Sequence, residues 1–362
     1  TVALIVTCDG NVAAGCASSF GPNALTKTHP AYNQAITRSV EQEMLLNLVR
    51  YRYRDNPSFL RIGSVTASLS LQSSAGLDTN LISGKGSNSV SPDIGISYAD
   101  EPTISYVPLQ GEEFLKSVLT PISLEALLVM IQSGWSIERI FGLCVERMNG
   151  LINAVTASGP TPVMAPEYET FKQAIDRFKR IQNSGGLEIG PSNNSVTGAE
   201  ELIILFKTDA LEKELMSQLG LLLSTQQNKL PERLIISTNF IDQQQEQLTV
   251  RTRSISSLLF YMSQNLQIPE AHKEAGLVTI TKDQYGNIFD WEKTPAGSVF
   301  EIKSAESKPE NTSLAVSYRD HWFYIPDNDL QSKSTFLLLM QLFNLQAGQN
   351  ETRGPTLTIP VR

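Results

Sequence analysis

The chain has 362 residues, 41% hydrophobic and 18% charged, which describes a folded protein long enough for two or three domains of roughly 100–200 residues each. A net charge of −8 argues against non-specific binding to nucleic acid or to anionic lipid, both of which need a basic face. Three cysteines are too few for a disulfide scaffold or a zinc cluster, and no apolar run approaches the roughly 20 residues of a membrane-spanning helix.

At the amino-terminal end, Ala13-Ala14-Gly15-Cys16 places small residues before a cysteine, with Val2-Ala3-Leu4-Ile5-Val6 upstream as an apolar segment. This pattern resembles the processing box of a bacterial lipoprotein, in which the cysteine following the cleavage site carries a diacylglycerol. Cys16 is therefore the expected lipidation site, and residues 1–16 the expected signal remnant. On this reading the chain as given starts inside a longer leader, because no Met or basic segment precedes Thr1. Asp9 and Asn11 interrupt the apolar run, which leaves a second reading open, an ordinary buried strand over Val2–Thr7 with Cys16 unmodified. Cys8 and Cys16 are also spaced for a small disulfide loop in an oxidising compartment, and Cys8, preceded by Thr7, is the poorer lipidation match.

Residues 17–62 read as a polar lead and a helix. Tyr32, Ile36, Val40, Met44 and Leu48 recur every four residues, and Ala35, Leu45 and Val49 widen the stripe. Arg50-Tyr51-Arg52-Tyr53-Arg54 closes the helix with cations at its negative end, and Pro57 turns the chain extended. The run reads either as a binding patch or, preferred here, as a helix end whose arginines pair with local acids.

Residues 63–109 carry the strongest local pattern. Val65, Ala67, Leu69 and Leu71 alternate with Ser64, Thr66, Ser68 and Ser70. Beyond a Gly/Ser tip at Ser83–Ser89, Ile94, Ile96, Tyr98, Ile104 and Tyr106 repeat the parity. Two long alternating strands around such a tip predict a β-hairpin with one apolar and one small-polar face. The polar side is Ser, Thr and Gly where a soluble sheet usually has Lys, Glu and Arg. That composition fits one chain's share of an oligomeric outer-membrane barrel; the plainer reading, preferred for the hairpin by itself, is an arm packed on its own core or on a neighbour.

Residues 110–184 read as helical: a short helix from Gly111 stopped by Pro121, a second after Ser123, and a third after Ser136 running through Leu151, with both serines as N-caps. Cys144 falls at helical spacing with Ile137, Ile140 and Phe141, which predicts a core thiol. After a Pro/Gly/Ser linker, Phe171, Ala174, Ile175, Phe178 and Ile181 mark an amphipathic helix. Residues 185–362 alternate strand and helix. Strands are expected at Leu187–Gly190, Leu202–Phe206, Leu234–Ser237, Phe300–Ile302, Leu314–Tyr324 and Thr356–Val361, with a hairpin pairing Leu277–Thr281 with Ile288–Trp291. Helices are expected over Asp209–Leu223 and Ser254–Leu266, with an apolar, buried one over Leu330–Gln346. The fold class is α+β: an N-terminal helix and long hairpin, a central helical region, and a C-terminal mixed sheet with packed helices.

Chemistry is sparse. His29, His272 and His321 show no metal-ligand spacing, and no G-x-S-x-G elbow occurs. Ser83-Gly84-Lys85-Gly86-Ser87 lacks phosphate-loop spacing. Asp327, Asn328 and Asp329 precede the last helix, where capping is a cheaper account than calcium. Within Asp320–Tyr324, alternation predicts Trp322 and Tyr324 buried with His321 and Phe323 exposed. No catalytic residue, metal site or cofactor is assigned.

Three stretches, Leu45–Pro57, Glu101–Phe114 and Tyr324–Phe336, together with Gly15-Cys16, resemble a family of uncharacterised proteobacterial envelope lipoproteins. The resemblance implies Cys16 as the lipidation site and, with Ala17 rather than Asp after it, an outer-membrane address on the periplasmic face. It implies no activity. The expectation is a non-enzymatic, lipid-anchored periplasmic subunit of an outer-membrane assembly, a homo-oligomer or multiprotein envelope complex lending its hairpin to a shared barrel or ring. A periplasmic ligand-binding lipoprotein, with Trp135 or Trp322 lining a pocket, is the alternative, and an enzyme with an unrecognised site the third.

Overall fold

The computed structural model describes residues 22–80, 89–193, 200–207, 210–223, 230–239, 247–310 and 312–348. The expectations for residues 1–16, including lipidation of Cys16 and pairing of Cys8 with Cys16, lie outside the described residues. So do most of the Gly/Ser tip and the strand expected at Thr356–Val361. Two compact units emerge: a body, drawn from Thr1–Pro57 and Gln110–Arg362, and a hairpin unit, Ser58–Leu109. The fold is α+β.

The body begins with α1 (Pro22–Tyr53), a longer helix than the apolar spacing from Tyr32 outlines. Its periodic residues Met44, Leu45, Leu48 and Val49 are buried, as an apolar stripe requires. The helix closes where Arg54 adopts φ 61 and the Asp55 amide donates to the Arg50 carbonyl at 2.9 Å. Next come α2 (Glu112–Leu119), α3 (Leu124–Gln132) and α4 (Ile137–Cys144). Ser123 and Ser136 cap the latter two as expected, their hydroxyls accepting from the amides of Ala126 at 3.1 Å and Arg139 at 3.3 Å.

The expected third helix through Leu151 stops at Cys144 and becomes strand β3 (Val145–Met148), which turns back into β4 (Leu151–Ile152). Arg253 is the reason. It is fully buried, and its guanidinium donates to the carbonyls of Leu143 at 3.1 Å, Val145 at 3.0 Å and Asn153, and to Ser158 Oγ at 3.1 Å. Asn153 Nδ2 adds bonds to the carbonyls of Gly142 at 2.9 Å and Val145 at 2.7 Å. Carbonyls that a continuing helix would occupy are held by side chains from elsewhere, so the chain leaves the helix there. The Arg253 guanidinium lies 4.0 Å from the Tyr261 ring centroid, and burial lowers its pKa. Cys144, buried and free, is the core thiol its spacing predicts, pushed up to about 12 by burial.

The amphipathic helix α5 (Glu169–Asn183) buries the expected Phe171, Ala174, Ile175, Phe178 and Ile181. It packs against α4, with Phe141 and Phe178 edge to face at 6.1 Å. Beyond it run β5 (Leu187–Asn193), β6 (Glu200–Phe206), α6 (Ala210–Leu222), β7 (Arg233–Ser237) and β8 (Gln247–Thr252). Six strands form one mixed sheet in the order β4-β3-β8-β7-β6-β5, antiparallel except for the β7–β8 pair. The sheet therefore crosses residue 185, joining β3 and β4 of the expected helical region to strands of the C-terminal half.

After α7 (Ile255–Ser263) and the short α8 (Glu270–Glu274), the expected hairpin between Leu277–Thr281 and Ile288–Trp291 is reduced to one bridge, Lys282 with Ile288. Asp283 organises the turn itself, its Oδ1 accepting from the amides of Tyr285 and Asn287 at 2.8 Å each. Instead of one strand over Leu314–Tyr324 there are two, β10 (Leu314–Tyr318) and β11 (His321–Ile325), with β9 (Lys303–Ala305) completing a sheet of order β10-β11-β9. Arg319 and Asp320 make the turn, at φ 48 and 62, the left-handed pair that a tight two-residue hairpin loop requires. The extra turn resets the parity. Phe323 is fully buried, and Trp322 and Tyr324 are half-buried, the reverse of the expected alternation. The last helix, α9 (Leu330–Gly348), is capped by Asp329, whose Oδ1 accepts from the Ser332 amide at 3.0 Å. Phe336, Leu338, Leu339 and Leu342 are buried, while Leu337 is exposed.

The hairpin unit consists of β1 (Leu60–Asn80) and β2 (Ser89–Pro108), antiparallel over twenty residue pairs from Leu60↔Pro108 to Asn80↔Ser89. At about 3.3 Å per residue, each strand spans roughly 65 Å. A bulge lies between Ile62 and Ser64. By absorbing Gly63 it keeps Ile62↔Tyr106 in the same parity as Val65↔Ile104.

Candidate functional site

The hairpin gathers the residues that the sequence pattern singles out into one ladder. Val65 pairs with Ile104, Ala67 with Pro102, Leu69 with Asp100 and Leu71 with Tyr98. Ile94 and Ile96 pair with Ala75 and Ser73, and Tyr106 pairs with Ile62. All fall on alternate rungs. The rungs between them join small polar residues, such as Ser64↔Ser105, Thr66↔Thr103 and Gln72↔Ser97. Among the described residues no third strand joins either strand of this sheet.

A second constellation lies in the body, and its residues are far apart in the chain. Tyr53, at the end of α1, shares a 2.6 Å hydrogen bond between its hydroxyl and His272 Nδ1. His272 sits in α8, and its ring meets that of His321, the first residue of β11, edge to face at 4.6 Å. His321 Nδ1 lies 3.3 Å from the Arg319 carbonyl oxygen. The Arg319 guanidinium stands 5.4 Å from the Tyr53 ring centroid and bonds Asp55 Oδ2 at 3.0 Å. The Tyr318 hydroxyl donates to the same carboxylate oxygen. Three elements thus meet: the end of α1, the short α8, and the β10–β11 turn.

Electrostatics define what this cluster does. Burial pushes the Tyr53 phenol up to about 12. Burial, reinforced by His321, pushes the His272 imidazole below its ordinary 6.5, against a hydrogen bond to the Arg319 backbone that acts the other way. Near neutral pH both groups are uncharged, so the pair fastens α1 to α8 without carrying a charge. Asp55 is held below the usual carboxylate range, first by the Tyr318 hydroxyl and then by Arg319.

The basic run at the end of α1 departs from expectation. Among the described residues Arg52 pairs with no acid. It donates to Thr161 Oγ1 at 2.9 Å and to the Thr279 carbonyl at 3.1 Å, and burial pushes it down to about 10. Arg54 reaches Thr279 Oγ1 at 2.8 Å, and Asp55 pairs with Arg319 at 3.0 Å. The two tryptophans considered as pocket walls have neighbours of their own: Trp135 Nε1 donates to Gln341 Oε1 at 3.2 Å, and Lys308 stands 5.6 Å from the Trp322 ring.

Sequence reading missed the His272–His321 pair because histidines so far apart in the chain, on different elements, leave no spacing signal. Among the described residues no group of three or more His, Cys, Asp or Glu is placed to hold a metal ion. Nor is any described helix long and apolar enough to cross a membrane, which says nothing of a β-barrel. No family model, curated protein or solved structure matches the chain.

Proposed function

We propose that this protein is a structural and interaction subunit that lends its hairpin to an oligomeric assembly of the bacterial outer membrane, held on the periplasmic face by a lipid at Cys16. One observation carries the reading. A two-stranded sheet of twenty pairs stands as its own compact unit, with no third strand among the described residues. An isolated hairpin is marginal in water, and open strand edges are templates for pairing with another chain. Natural proteins blunt such edges with charged residues and proline, yet from Ile62 to Leu77 β1 carries neither. The strands are in effect half of a larger sheet. Copies of this chain are the simplest source of the rest, since closed symmetric rings repeat one interface. The anchor rests on Gly15-Cys16 and on the resemblance to envelope lipoproteins.

The test replaces residues 73–96 with Asn-Gly, so that the paired Gln72 and Ser97 are joined by a two-residue turn. Particle mass is measured after gentle detergent extraction. The intact chain runs as an oligomer and the shortened chain as a monomer, while the melting temperature of the body moves by no more than about 2 °C. An oligomer that survives the shortening defeats the proposal.

A further inference from the structure

We infer that only the distal half of the hairpin, residues 71–79 of β1 with 90–98 of β2, lies in the hydrocarbon of a bilayer, with other copies of this chain as neighbouring staves. This rests on the proposed function and narrows it to a segment and a surrounding medium. The rungs fall into two alternating classes. In the class that includes Val65↔Ile104, the one charged residue is Asp100, opposite Leu69. From Leu71↔Tyr98 to Thr79↔Val90 this class contains no charge at all. That run is nine residues on each strand, against the roughly 9–11 that a tilted strand needs to cross.

The intervening class over the same stretch is small or polar throughout. Gln72↔Ser97, Ser74↔Gly95, Gly76↔Asp93 and Asp78↔Ser91 include two carboxylates. Apolar and polar residues on alternate rungs are the signature of a barrel strand with lipid on one side and water on the other. The boundary is marked chemically. Asp100 and Glu101 stand side by side just before the charge-free run when β2 is followed back from the body, and Tyr98 lies just within it. Tyrosine collects at the membrane–water interface, and carboxylates are excluded from hydrocarbon. The proximal rungs, from Ile62↔Tyr106 to Leu69↔Asp100, are closed by the acids, which leaves them in water.

The prolines also say how copies meet. Pro92 and Pro102 share a parity, and each lacks an N–H. With the β1–β2 ladder intact, the missing donors belong to the outer edge of β2. Between them the outer donors fall at residues 94, 96, 98 and 100, an unbroken run. β1 has no proline and no charged residue from Ile62 to Leu77, so its outer edge is open to that run in the next copy.

The experiment places single cysteines along β1 in a Cys8→Ser, Cys16→Ser chain, which removes the anchor and leaves Cys144 buried. Each variant (Val65→Cys, Ala67→Cys and every position from Leu71→Cys to Leu77→Cys) carries an environment-sensitive fluorophore. The full-length chain is reconstituted into phosphatidylcholine vesicles with nitroxide-labelled acyl chains, and particle mass is measured in parallel. Quenching several-fold stronger at 71, 73, 75 and 77 than at 72, 74 and 76, and weak at 65 and 67, is the expected result. Equal weak quenching everywhere in an intact oligomer overturns the inference and leaves the proposed function standing, with the hairpins pairing in water. Alternation continuing undiminished through 67 and 65 also overturns it, because the acids then mark no boundary. A particle that never exceeds a monomer removes the proposed function itself.

Discussion

The body and the hairpin differ in where their leftover backbone hydrogen bonds end. In the body, several groups that a helix end or a sheet edge leaves over find partners within the chain. Arg253 collects the carbonyls at the end of α4, and Asn149 bridges the Thr249 amide at 2.8 Å and the Leu223 carbonyl at 3.2 Å. At the edge of the three-stranded sheet, Gln42 of α1 reaches the Ala315 carbonyl at 3.1 Å. The hairpin has ladder bonds along one edge of each strand and, among the described residues, no strand on the other. Buried backbone groups are nearly always paired, so a sheet of this length must end either in water or in another molecule. The contrast separates what holds this protein together from what it offers outward.

Breaking the body at its most self-contained point has the largest expected effect. Arg253→Met removes a buried cation that donates to three carbonyls and a hydroxyl, and of these acceptors Val145 keeps the Asn153 side-chain amide as a donor. Removing one side of such a buried network costs about 3–5 kcal/mol. Urea denaturation followed by the fluorescence of Trp135, Trp291 and Trp322, all in the body, measures it. A loss below about 1 kcal/mol would mean that water replaces the guanidinium, and the body would be less closed than described.

The contrast also shows which parts were legible from the amino acids. Regular local chemistry was readable: serines at 123 and 136 cap helices wherever those helices pack, the Phe171–Ile181 stripe has one buried solution, and alternation from Val65 to Tyr106 permits only a strand pair. Long-range control was not. The segment after Cys144 continues a helical pattern, and Arg253, just past the end of β8, together with Asn153 stops it. Arg319-Asp320 turns the chain without glycine or asparagine, so the expected single strand became two and the burial of Phe323 inverted. β8, the parallel partner at the middle of the large sheet, follows a glutamine-rich segment that hides its approach. The His272 cluster depends on all of these placements at once, which is why the candidate site in the body was invisible while the hairpin was plain.

A pH titration sharpens the comparison at intermediate size. His272 is buried against Tyr53, and His321, Arg319 and Asp320 act on it from the β10–β11 turn. Its pKa in the folded protein lies below the ordinary 6.5, so as pH falls past that value the unfolded chain binds a proton that the folded one resists. Stability is therefore full at neutral pH and declines on acidification below about 6.5. His272→Gln keeps a hydrogen-bonding group beside Tyr53 but does not titrate, and it should flatten the fall in melting temperature between pH 7 and pH 5. The hairpin, with no histidine in either strand, contributes nothing to that slope. An unchanged slope in the variant would place the acid sensitivity elsewhere and dissolve the role of the cluster as a fastener.

The smallest effect is expected at Asp55, close to where the chain leaves the body for the hairpin. Its carboxylate accepts from Tyr318 and pairs with Arg319 at 3.0 Å, but both charged side chains are 39% exposed. Water and salt screen such a pair, which limits Asp55→Asn to about 0.2–1 kcal/mol. The sign is that of a carboxylate with a depressed pKa: its contribution is present above the ordinary value of 3.8 and is lost as pH falls below it. This window lies below that of His272, so the two can be separated in one titration. In the Asp55→Asn variant the melting temperature at pH 7 should drop by under about 3 °C, with the acid limb below pH 4 made shallower. A drop as large as that of Arg253→Met would show that the end of α1 is held chiefly by this surface pair. In that event Tyr53, Arg52 and their buried partners would not be the anchor that keeps the body closed while the hairpin stays open.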